Sequence, residues 1–327
     1  MMLLNSSKGK ELVTVCKNIL IKCMALRQEE SFLVVADETK ETLARSLYEA
    51  GRAIGAETQF MLMADRSRSG EEPPAAIAAA MKSVDAAICI TTCSLTHTKA
   101  RKEAVKAGTR LATMPGISKD MFINGAITAD YEKVKKLTFL VKKTLDHGEK
   151  VLIKKKGYSF SFSITGRKGI PSTGVYTESG ESGNLPSGEA FIAPVEGSAN
   201  GKLFIDGSVV GIGKLDAPMV LTVEHGKLIK ADGPYSEQLL NILGERQGRM
   251  VAEFGIGTNE KARITGNVLE DEKVYRTVHI AFGSNLTFGG TINAGVHIDC
   301  VFNSPDVFVD GYKVMDHGEL TERLSKK

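Results

Sequence analysis

In the stretch AGVHIDCVFNSPDVFVDG, His297 and Asp299 stand one isoleucine apart inside an apolar run. Side chains two positions apart on a strand project to the same face, so this imidazole and this carboxylate can converge on one point. Three other segments carry a comparable polar group in an apolar setting: His279 in TVHIAFGSN, Glu253 in VAEFGIGTN and Glu189 in LPSGEAFIAP. Carboxylates in such surroundings are costly to bury unless they are paired or bind a metal. Two His, one Asp and two Glu on β-prone segments make a natural ligand set for one or two divalent cations. Imidazole with carboxylate suits Zn, Co, Mn or Fe(II), whereas an all-oxygen cage suits Mg or Ca. Each residue taken singly also fits a satisfied polar group at a strand end, and spacing leaves both readings open.

The elements that must position these groups fall into two halves. Short β-branched runs (SFLVVAD, ETQFMLMAD, AAICITT, RLATMPG) alternate with helix-like segments up to the amphipathic stretch ADYEKVKKLTFLVKKTLDHG. Strand and helix repeating at these spacings predict an α/β doubly wound, mostly parallel sheet domain over residues 1–148. From residue 149 to 327 the pattern changes to half-buried alternation and Gly-rich turns, with PYSEQLLNILGERQG as the one helix. That predicts an antiparallel β-rich α+β domain, and it contains all five candidate ligands. A nucleotide cofactor is not indicated: no G-x-G-x-x-G follows the first strand and no G-x-x-x-x-G-K-[ST] occurs.

Composition narrows the function classes. Lys and Arg total 42 against 39 for Asp and Glu, a formal net charge of +3, and no stretch mixes basic residues with aromatics. Neither nucleic acid nor an acidic membrane surface is an expected partner. The five Cys residues include no C-x-x-C pair, which fits a reducing compartment. MMLLNSSKGKELV lacks a signal-peptide pattern and no apolar run reaches 18 residues, so the expected location is cytoplasmic.

NLPSGEAFIAPVEGSANGKLFIDGS, AEFGIGTN, VHIAFGSN with a following GG, and HIDCVF occur in the order of the motifs of the aminopeptidase T and S type metallopeptidases, across residues 184 to 311. Upstream, SLTHTKARKEAVKAGTRLATMPG resembles the N-terminal domain of smaller relatives in the same superfamily. Those relatives include 2,5-dihydroxypyridine 5,6-dioxygenase, a non-haem Fe(II) enzyme. The peptidase resemblance implies a dinuclear site with Glu189, Glu253, His279, His297 and Asp299 as ligands, in a homodimer. The leading expectation is therefore an aminopeptidase-like hydrolase that releases N-terminal residues from small peptides by metal-activated water, with Glu253 handling the water's proton.

Two positions depart from the peptidase pattern. Gly188 and Glu189 stand where those enzymes typically have a Glu pair, and Leu286 stands where they have a Tyr suited to an oxyanion. A second expectation uses the same residues otherwise. His279, His297 and Asp299 form a 2-His-1-carboxylate set for mononuclear Fe(II), open to oxygen and a dihydroxylated N-heterocycle. By resemblance His97 then serves as acid or base for an aromatic hydroxyl; the flanking Thr96 and Thr98 equally make it a neighbour of a helix cap. A third expectation is a metal or small-ligand binder without turnover.

Overall fold

Continuously apolar strands can be buried on both faces, and the inner strands Ser31–Asp37 and Ala86–Ile90 of the first sheet are of this kind. In the computed structural model, which describes residues 7–325, the order is Glu57–Met63, Ser31–Asp37, Ala86–Ile90, Arg110–Thr113, Ser182–Asn184. Every pairing is parallel. Ala86–Ile90 and Arg110–Thr113 are buried at each residue, as expected where helices cover a parallel sheet. The helix Glu41–Ile54 ends at Gly55, whose φ of +99° is the left-handed conformation that glycine adopts without a Cβ penalty. The fifth strand is unannounced in the sequence: SGN carries no apolar side chain and joins by main-chain pairing to Leu111, Ala112 and Thr113.

Two compact units divide the chain. One takes it up to Tyr131 together with Gly174–Ser187; the other takes Glu132–Thr173 and everything from Gly188. The second unit contains most of the helix Tyr131–His147, which buries Val134, Val141 and Leu145 as its amphipathic pattern predicts. It also holds two sheets of eight and seven strands, in which every pairing is antiparallel. The sheets share one apolar core. Phe162 of Tyr158–Ser163 meets Phe254 of Val251–Gly257 edge-on at 5.2 Å between ring centres, and Phe160 packs beside Phe162 at 5.6 Å.

Besides the expected helix Ser236–Leu243, the unit forms a short one at Val268–Asp271. Asn267 caps it by accepting from the Leu269 N–H, and Asp271 accepts from the N–H groups of Thr265 and Gly266 at 2.7 and 2.9 Å. These contacts hold a highly charged stretch, LEDEK, against the protein interior. Among the described residues no helix is long and apolar enough to cross a membrane.

Phe162→Ala removes a fully buried ring from the middle of the intersheet contact. Denaturant unfolding should show a loss of about 3–5 kcal/mol with an unchanged denaturant slope; a loss below about 1 kcal/mol would mean that the two sheets do not depend on this contact.

Candidate metal centre

Four neighbouring strands of the seven-stranded sheet bring the candidate ligands together. They run in the order His297–Asn303, Thr277–Gly283, Val251–Gly257, Glu189–Ile192. Register places Asp299 opposite Ala281 and Ala281 opposite Glu253. Directly paired residues share a face, so the alanine methyl leaves the two carboxylates room to approach each other. Two pairs further along, on the same face, His279 stands opposite Gly255. A Cβ at position 255 would lie 2.1 Å from His279 Cε1, so the imidazole lies across the glycine where any side chain would exclude it.

The Glu253 carboxylate sits between two imidazoles. Its Oε1 is 3.2 Å from His279 Nε2 and its Oε2 is 3.4 Å from His297 Nε2. Asp299 Oδ1 is 3.5 Å from His297 Nε2, and Glu189 Oε2 is 3.6 Å from His279 Nε2. Glu253, His297 and Asp299 each offer a ligand atom within 4.8 Å of the others. The two histidines are held differently. His297 donates its Nδ1–H to the Ser284 carbonyl at 2.8 Å, which turns Nε2 toward the carboxylates, the orientation usual for a metal-ligating histidine. His279, fully buried, points Nε2 at Glu253 while its Nδ1 has no hydrogen-bond partner.

Charge explains the protonation behaviour. Burial would lower the His279 pKa, but the Glu253 hydrogen bond and the charges of Glu189 and Asp299 outweigh it and raise it to about 9. His297 is likewise raised well above its ordinary value against burial, by Asp299 and Glu253. Burial pushes the Asp299 carboxyl up, yet His297, His279 and Lys273 bring it down to about 2. Burial also opposes charge on Glu253, and the two imidazoles hold it below the usual range. The donors fit a divalent cation: Asp299 Oδ1 is buried and accepts no hydrogen bond, which is unfavourable unless positive charge lies close by.

A residue absent from the expected set is Lys273, 2 % exposed in its side chain. Its Nζ donates to Glu189 Oε1 at 2.8 Å and to Glu272. Nothing in LEDEKVYR marks this lysine as buried, because charge runs are ordinarily solvated.

Around the site the loop after Thr277–Gly283 is fixed by Asn285. Its Oδ1 accepts from Ile292 N at 2.7 Å and its Nδ2 donates to Glu196 Oε1 at 3.2 Å. A Cβ at Gly290 would strike this amide at 1.9 Å, and Gly289 holds a φ of +99°, so each glycine of the GG after VHIAFGSN has its own cause. Phe288 on the loop meets the His297 ring edge-on at 5.8 Å. Leu286 is 59 % exposed, and Tyr275 donates its hydroxyl to Glu319. His97 belongs to the other unit and is exposed in the turn before Thr98, whose hydroxyl caps the helix Lys99–Lys106.

The pattern of the family described as 2,5-dihydroxypyridine 5,6-dioxygenase (NicX) matches residues 11–322. No curated protein matches the sequence. Among solved structures, 2,5-dihydroxypyridine dioxygenase from Pseudomonas putida superposes with a TM-score of 0.82 at 17% identity, over 97% of this chain and 98% of that one. Wild-type AmpT from Thermus thermophilus superposes with a TM-score of 0.69 at 16% identity, over 95% of this chain and 99% of that one. At such identities both structures share the mixed α/β fold and no more.

The expectation of an aminopeptidase-like hydrolase is overturned. The family pattern that spans nearly the whole described chain names a dioxygenase, and the aminopeptidase likeness is one of fold. A physical reason accompanies it: Leu286 has no hydrogen-bond donor for an oxyanion, while Tyr275 and Asn285 are engaged elsewhere.

In the metal-free protein at pH 7 the raised imidazole pKa values mean that protons hold the place of a cation. Binding of Mn2+ should therefore release roughly one to two protons per ion, and affinity should rise with pH up to about 9. Titration calorimetry in buffers of different ionisation enthalpy measures the release; none at pH 7 would mean that the imidazoles are already neutral.

Proposed function

The chain belongs to the 2,5-dihydroxypyridine 5,6-dioxygenase family, a family of enzymes, and from that membership we propose that it is an Fe(II)-dependent ring-cleaving dioxygenase acting on a dihydroxylated N-heterocycle. The observation that carries the reading is the convergence of Glu253, His297 and Asp299 within 4.8 Å. That donor set of one imidazole and two carboxylates suits a single divalent ion and leaves coordination positions unfilled by protein. Glu253, His297 and Asp299 would hold the ion. His279, bonded to the far oxygen of Glu253, would fix that carboxylate's orientation. Fe(II) bound there supplies the redox chemistry by which dioxygen reacts with an aromatic substrate.

The chain's own groups then bind and orient. The Ser284 carbonyl fixes the His297 ring. Phe288, supported edge-on by Phe191 at 5.5 Å, gives an apolar flank beside His297 against which a planar ring can pack. His97 takes the acid or base role toward a substrate hydroxyl, an assignment that rests on the resemblance of its segment. Both atoms of dioxygen enter the substrate, so no external reductant is consumed.

An oxygen electrode with Fe(II)-loaded protein and 2,5-dihydroxypyridine tests the reading, and about one O2 should disappear per substrate. His297→Ala and Asp299→Ala should lose bound iron and uptake together, while His279→Ala should weaken iron binding about 10–100-fold. His97→Ala should keep its iron and lose about 100-fold or more in kcat. No uptake across a panel of dihydroxypyridines with iron bound would overturn the proposal.

A further inference from the structure

The site holds more carboxylates than one cation requires. Glu253 and Asp299 gather at His297. Glu189 reaches the other imidazole, its Oε2 3.6 Å from His279 Nε2, the same nitrogen that Glu253 Oε1 approaches at 3.2 Å. Two groups of acidic oxygens, one at each imidazole with Glu253 common to both, would suit two ions. At the second cluster, however, a positive charge is already built into the chain: Lys273 Nζ donates to Glu189 Oε1 at 2.8 Å and to Glu272.

The ammonium is fixed there by its backbone as well as by its partners. Asn259 N donates to the Lys273 carbonyl at 2.9 Å. A Cβ at Gly257 would lie 2.0 Å from the Val274 carbonyl oxygen and 2.8 Å from the Lys273 carbonyl carbon, so the Lys273 segment is packed directly on the end of the strand Val251–Gly257. With 2 % of the side chain exposed, the charge cannot swing into water, and the lysine cannot leave without stranding buried carboxylates. Burial favours the neutral amine, but Glu189 and Glu272 outweigh it and raise the Lys273 pKa above its ordinary value.

We infer that Lys273 is a tethered monovalent cation standing in the place of a second metal ion, so that the chain binds one divalent ion and Glu189 is the counter-ion of Lys273 rather than a ligand. The inference rests on the reading of Glu253, His297 and Asp299 as the cation site, and it defines how many ions that site takes. Lys273 acts as a positioning residue: it touches no reacting atom and acts through Glu189. An ammonium offers three donors and no open coordination position. It therefore neutralises the second cluster without creating a place where water could be activated.

The test counts ions. Full-length protein stripped with chelator is titrated with Mn2+ and, separately, Zn2+, and ions per chain are read by native mass spectrometry and titration calorimetry. Wild type should bind one, Lys273→Ala two, and Lys273→Arg one, because the guanidinium restores the charge. Glu189→Gln should still bind one, with affinity changed less than about tenfold, whereas loss of support to a ligand costs about 10–100-fold and loss of a ligand more. Two ions in wild type, or a single ion in Lys273→Ala, would overturn the inference. Should Lys273→Ala fail to fold, Glu189→Gln decides: a drop of tenfold or more makes Glu189 a ligand and refutes it. No ion bound by wild type would instead refute the metal centre on which the inference rests.

Discussion

Buried carboxylates on a β-sheet demand positive charge, and the second unit is organised around that demand. Glu189, Glu253 and Asp299 lie on strands whose other residues form an apolar core. Desolvation alone would protonate them or unfold the sheet. Instead each lies beside a cation or a group able to become one: Glu253 between two imidazoles, Asp299 beside His297, Glu189 on Lys273. The high pKa of His279, about 9, and the low pKa of Asp299, about 2, express one fact from two sides. The site is short of positive charge, and protons supply it whenever a metal does not.

Meeting that demand requires space, and small residues provide it. Ala281 separates Glu253 from Asp299 in one cross-strand row, and Gly255 lets the His279 ring lie flat in the next. A bulge between Val251 and Glu253 shifts the register of that strand against Thr277–Gly283, which sets the face on which Glu253 appears. AEFGIG and HIAFG thus alternate large residues that fill the intersheet core with small ones that leave the polar face open. The core supplies rigidity, and rigidity holds Glu253, His297 and Asp299 within 4.8 Å of one another, with His279 and Glu189 beside them.

Much of this was legible in the sequence. The β-branched runs of the first half and the alternation of the second mark their strands by periodicity alone, and His297 with Asp299 share a face because strands repeat every two residues. What could not be read has identifiable causes. The strand Ser182–Asn184 is held by main-chain hydrogen bonds and carries no apolar signal. The short helix Val268–Asp271 and the burial of Lys273 depend on Asn267 and Asp271 caps and on Glu189, a counter-charge more than eighty residues away. Which imidazole joins Glu253 and Asp299 was set by ring orientation: the Ser284 carbonyl turns His297 toward them, while His279 is committed to the opposite oxygen of Glu253. A list of ligand-type residues in family order treats both histidines alike.

The same fold is shared with a dioxygenase and with AmpT, so architecture cannot by itself select the chemistry. Selection falls to groups at the border of the site, and two of them act in the same direction. Leu286, at the sequence position where the resembling peptidases have a Tyr, has no hydrogen-bond donor for an oxyanion. Lys273 places a charge with no exchangeable coordination position where a second ion would otherwise present water. Hydrolysis needs an activated water and a means of stabilising an oxyanion, whereas oxygen chemistry needs one redox ion, unfilled coordination positions and a flank for a planar substrate. Exposed Leu286 and buried Lys273 each remove something the first requires and leave the needs of the second intact.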